Sequence, residues 1–106
     1  MSFYNDVIVE KDRLIREKYQ TPDSIDCFKE GEISSSAICY VLHWLNIGHS
    51  AYATMAHKLV TYLWPFAKSY WKPKDRRQDL VHATALLILE GERLDRLHSS
   101  NKYIDR

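Results

Sequence analysis

Positions 62–71 concentrate the side chains best suited to chemistry. Tyr62, Trp64, Phe66, Tyr70 and Trp71 put five rings in ten residues, and Lys72, Lys74, Arg76 and Arg77 follow directly. Rings beside cations can stack on a planar base and attract its charge. The arginine fork adds bidentate recognition of phosphate. A plainer role for the same rings is a satellite hydrophobic cluster that closes one end of the fold.

Arg76 and Arg77 sharpen the first role. They fall in the first turn of the last expected helix, where the helix dipole disfavours cations. Unpaired backbone N–H groups in that turn bind anions readily. A phosphate-bearing ligand would relieve the conflict, and Asp75 and Asp79 would relieve part of it without one. Asp26 and Glu32 flank Gly31 at the entry to another helix. Glu32 suits the dipole there as a simple cap, and the alternatives for both acids are ligand hydroxyls or Arg76 and Arg77. The candidate ligand-binding set is therefore Trp64, Trp71, Lys72, Arg76, Arg77, Asp26 and Glu32.

Other chemistries find little support. None of the five histidines has the i,i+4 spacing with Glu of a helical zinc site. Two carboxylates such as Asp26 and Glu32 are fewer ligands than a Mg²⁺ site generally takes. There is no glycine-rich phosphate loop, and Ser34, Ser35 and Ser36 lack a base pattern for nucleophilic catalysis. No catalytic residue, metal ligand or cofactor is expected. Cys27 and Cys39 are expected as buried thiols, which fits a reducing cytoplasm.

The elements that must position these groups are helical. With 106 residues, of which 45% are hydrophobic and 27% charged, the chain is one globular domain rather than a disordered segment. Only 3 Gly and 3 Pro argue for helices over a sandwich or barrel. Four are expected. The first covers residues 3–19 with Ser2 as N-cap and Tyr4, Val7, Ile8, Leu14 and Ile15 as its stripe. The second covers 32–46, is apolar nearly all round and so is central, with Ser34 to Ser36 permitting close approach. A turn around Gly48 leads to a third at 51–63, capped by Ser50 and stopped by Trp64-Pro65.

Pro73 opens the fourth, residues 74–98. Its expected buried stripe is Leu80, Val81, Thr84, Leu87, Ile88, Gly91, Leu94 and Leu97. Gly91 costs about 1 kcal/mol against alanine in mid-helix, so close helix contact is expected there. At roughly 37 Å this helix is long for so small a domain, which favours a homo-oligomer with the helix near the interface. Residues 99–106 read as a frayed tail.

The net charge of +1 hides an asymmetry. Residues 1–50 hold 5 basic and 8 acidic residues, and residues 51–106 hold 10 and 6. A local basic patch suits a small anionic ligand or an acidic partner, not long nucleic acid. Attraction between the two halves is the competing explanation. No apolar run approaches the roughly 20 residues of a membrane span, and the first residues lack a signal-peptide pattern.

Several runs resemble a family of small phage and prophage proteins. They are Phe3-Tyr4-Asn5-Asp6-Val7-Ile8, Gly31-Glu32-Ile33 with Cys39-Tyr40, Trp71-Lys72-Pro73 with Asp75-Arg76-Arg77, and Arg93-Leu94-Asp95-Arg96. The resemblance covers residues 3–43 and 64–96. Ile25 and Phe28 stand where the family pattern has an acid and a histidine, leaving Asp26. That departure favours binding over turnover. By analogy of class, the resemblance implies a cytoplasmic counter-defence protein that sequesters a phosphorylated, nucleotide-like signal of the cyclic nucleotide or ADP-ribose kind. Two alternatives stand beside it. One is a Mg-dependent nucleotide pyrophosphohydrolase of the MazG-like kind, for which Glu92 and Asp95 have one of the two expected spacings. The other is an adaptor that inhibits a host protein.

Overall fold

A computed structural model of the chain describes residues 2–47 and 53–100. The described residues are all-helical: α1 (Phe3–Glu17), α2 (Asp23–Asp26), α3 (Glu32–Ile47), α4 (Ala53–Leu63), a 3₁₀ turn at Lys68–Tyr70, and α5 (Arg76–Ser100). The expected turn at Gly48 to Ser50, with His49, lies outside the described residues, as do 101–106 of the expected tail.

Local rules explain most helix ends. The Ser2 hydroxyl accepts from the Asn5 N–H at 3.3 Å, the expected cap of α1. The helix α4 ends at Leu63, because Pro65 disfavours helical backbone at Trp64. Gly31 has φ +81° at the entry to α3, a conformation that favours glycine. The expected start of α5 moves from 74 to Arg76. Asp75 is its N-cap: its carboxylate accepts from the Gln78 N–H at 2.8 Å, and the Gln78 side chain returns a bond at 2.9 Å. The short α2 was not anticipated, since one turn leaves no periodic pattern.

As expected, α3 is central, with α4 on one side and α5 on the other, while α1 lies along α5. The Ser35 hydroxyl donates to the Leu63 carbonyl at 2.7 Å, so the serine run does admit α4 closely. Val7, Leu14, Ile25, Ile33, Tyr40 and Leu89 anchor one continuous core.

The long helix buries only part of its expected stripe. Val81 is buried and Ile88 packs on the core as expected, and Ala83, Ala85, Leu86 and Leu89 are buried with them, whereas Leu80, Leu87, Leu94 and Leu97 are exposed. Both faces are apolar, so spacing alone does not choose between them. The alanine face wins because small side chains let α1 and α3 approach, and because Asp79, His82, Glu90 and Arg93 find partners on that side. Gly91 touches nothing: a Cβ there would meet no atom within 4 Å. The close contact expected at Gly91 is absent within the chain. Cys39 is buried as expected, but Cys27 is exposed, since it follows α2 on the surface.

The uneven charge of the two halves resolves into pairs across the fold. Asp6 meets Arg77 at 2.7 Å, Glu10 meets His82 at 2.5 Å and Asp26 meets Arg96 at 2.5 Å. Acids of α1 and α2 thus answer the bases of α5.

Candidate functional site

The aromatic connection after α4 folds back onto Tyr40 of α3. Trp71 lies 4.7 Å from the Tyr40 ring, and Trp64 meets Trp71 edge-on at 4.8 Å. The Trp64 indole N–H donates to the Ala67 carbonyl at 3.0 Å, which fixes its orientation. Phe66 packs on Phe28, and Lys18 sits over the Tyr19, Phe66 and Tyr70 rings. Burial among these groups lowers the Lys18 pKa, and the nearby Arg13 charge adds to the effect. Trp64 and Trp71 are therefore half-buried members of a ring cluster.

Two histidines border this cluster, and each is held by a carboxylate from another helix. His43 of α3 places Nδ1 2.6 Å from Oδ2 of Asp79. His82 of α5 places Nδ1 2.5 Å from Oε2 of Glu10, and its ring stands edge-on to Tyr40 at 4.5 Å. A carboxylate can only accept, so Nδ1 carries the proton in both rings and Nε2 is the remaining nitrogen. Asp79 is 2% exposed and also accepts from the Lys74 N–H at 2.7 Å. It thereby ties the basic connection to the core.

Burial alone would raise the Glu10 pKa. Hydrogen bonds from Arg13 and His82 outweigh it and hold the carboxyl at about 2, down from 4.5. The folded value lies below the unfolded one. Its stability contribution is therefore complete above pH 4.5 and is lost as the pH falls toward 2. Glu10→Gln is expected to cost about 2 kcal/mol at neutral pH, after allowance for solvent screening. Urea titrations of both proteins should show that difference shrinking as the pH is lowered through this window. A constant difference would show that the carboxylate charge is not what stabilises the site.

The seven candidate residues divide into two groups. Trp64 and Trp71 share the ring cluster, Lys72 follows at once, and Arg76 and Arg77 begin α5. Lys72, Arg76 and Arg77 are exposed, and Arg77 is bonded to Asp6 with its guanidinium 5.7 Å from the Phe3 ring. Asp26 and Glu32 lie elsewhere. Asp26 holds Arg96 through both of its oxygens, and this bond lowers its pKa. Arg96 is 20 residues along α5 from Arg76, or roughly 30 Å at helical rise. One nucleotide cannot span that distance, so Asp26 and the Arg76 group do not share a small ligand. Glu32, the first residue of α3, accepts from the Glu30 N–H just ahead of the helix at 2.7 Å.

Among the described residues, no group of three or more His, Cys, Asp or Glu side chains converges as a metal site requires. Glu92 is drawn to Lys11 at 3.8 Å, and Asp95 is exposed. A cleft of about 150 Å³ between α1, α2 and α5, lined by Tyr19, Pro22, Leu89 and Arg96, excludes both tryptophans. Sequence reasoning missed His43, Asp79, His82 and Glu10 as a constellation. Their partners are 36 and 72 residues apart, so no local spacing connects them. No helix among the described residues is long and apolar enough to cross a membrane. The chain matches no protein-family model, no curated protein and no solved structure.

Proposed function

We propose that this chain binds a phosphorylated, nucleotide-like ligand without chemical turnover, at the surface where Trp71 runs into α5. The supporting observation is the pair Lys72 and Lys74. Both are exposed, and neither forms an ion pair with a described residue. They flank Pro73, whose fixed φ limits the freedom of the segment. Asp79 further restrains it by holding the Lys74 N–H. Two preorganised ammonium groups beside an indole edge suit a phosphate attached to a base. Arg76 follows at the start of α5 and is exposed. Arg77, Asp26 and Glu32, engaged elsewhere, are not assigned to this ligand.

The resemblance to small phage proteins supplies a setting, in which such binding withholds a host immune signal. Sequestration requires slow release rather than catalysis.

Isothermal titration against cyclic nucleotides and ADP-ribose derivatives tests the proposal. At least one should bind with heat and quench tryptophan fluorescence. The double variant Lys72→Ala/Lys74→Ala should weaken it by about tenfold or more, the loss of one or two charge-assisted bonds. No heat and no fluorescence change with any of these ligands would end the proposal.

A further inference from the structure

The outer face of α5 carries a pattern that the fold leaves unused. Leu80, Leu87 and Leu94 recur every seven residues, with Thr84 and Gly91 between them at the same interval. All three leucines are exposed, at 38%, 49% and 39%. The Thr84 hydroxyl donates to the Leu80 carbonyl at 2.7 Å, so its polar atom is satisfied within the helix. The stripe is thus apolar over about four turns and runs opposite to the face packed on α1 and α3.

We infer that this face binds the same face of a second copy, the two α5 helices running antiparallel. This inference goes beyond the ligand-binding proposal and does not depend on it. The stripe is complementary to itself in that arrangement. Leu87 of each copy seats over Gly91 of the other, and Leu94 seats over Thr84. In these two layers, each present twice by symmetry, a large side chain meets a small one. Gly91 has the open space this requires, since a Cβ there would meet nothing within 4 Å. That also accounts for a glycine at a helical position where the chain's own packing does not ask for one.

Charge selects the antiparallel direction. A parallel pair would bring the two basic ends together, Lys72, Lys74, Arg76 and Arg77 against their copies. The antiparallel pair separates those ends and opposes the two helix dipoles. The stripe from Leu80 to Leu94 is about 21 Å long and buries on the order of 400 Å² per copy, the size of a weak interface. Such a dimer forms and dissociates with concentration.

Sedimentation of the full chain from roughly 1 to 200 μM should therefore show a monomer–dimer equilibrium in the micromolar range. Leu87→Glu and, separately, Gly91→Leu should each weaken association at least tenfold while keeping the helical circular dichroism. Neither side chain contacts the core, so folding is retained. Tyr62→Glu, on an 86% exposed ring of α4, should leave the dimer intact. Direction is read in a Cys27→Ser background. Mixed Leu87→Cys and Gly91→Cys chains should oxidise to the mixed disulfide faster than either variant alone forms its homodimer. A chain that stays monomeric throughout overturns the inference, as does a dimer that both α5 variants leave unchanged. Preferential homodisulfides overturn the antiparallel direction.

Discussion

Asp79→Ala is expected to lower the free energy of unfolding by about 3–5 kcal/mol, a large share of what a domain of this size possesses. The Asp79 carboxylate is 2% exposed, with the Lys74 N–H at 2.7 Å and His43 Nδ1 at 2.6 Å. Alanine leaves both donors facing a space with no acceptor, and an unsatisfied buried donor costs more than the net value of its bond. It also releases the connection that carries Lys72 and Lys74. Asp79→Asn should cost less. Its carbonyl still accepts from Lys74, while its amide obliges His43 to adopt the other tautomer. Urea unfolding at neutral pH measures both losses. A change below about 1 kcal/mol for the alanine variant would show that the carboxylate is not the fastener of this end of α5.

Glu90→Ala is expected to cost about 3 kcal/mol for a related reason. The Glu90 and Arg93 side chains are 10% and 8% exposed and meet at 2.6 Å, one turn apart on α5. This bond raises the Arg93 pKa against the opposing effect of burial. Removing the acid strands a guanidinium in the interior. Replacing both, as Glu90→Leu with Arg93→Met, should recover most of the loss, because a packed apolar pair does not carry the desolvation penalty. A double variant as unstable as Glu90→Ala would mean that the pair is favourable in its own right. The comparison needs only denaturation midpoints of the single and double variants.

Both sites show where sequence reasoning stopped. Glu90 and Arg93 belong to a run, Glu90-Gly91-Glu92-Arg93, that reads as a solvated helix end. A 3.6-residue period could place either Leu80-Leu87-Leu94 or Val81-Ala85-Leu89 inward, and the expected stripe joined Val81 and Ile88 to the larger leucines. The outcome turned on partners from distant segments. Glu10 and Tyr40 meet His82, His43 meets Asp79, and Asp26 meets Arg96. The aromatic connection was legible as a feature, but the fate of its rings was not. Trp64 and Trp71 turn to Tyr40 because that buried ring, 24 and 31 residues away in sequence, offers them edge-on and tilted contacts.

What the sequence by itself determined is local. Few Gly and Pro with apolar residues at helical spacing made an all-helical domain, Ser2 capped α1, Trp64-Pro65 ended α4, and the central α3 followed from its nearly continuous apolarity. Acidic and basic halves already implied mutual attraction. The tertiary structure alone decided which face of α5 is inside, which cations are paired and which carboxylates hold the two histidines. The physical reason is that burial of a charge or a ring depends on a partner far along the chain. Spacing within one helix carries no information about that partner.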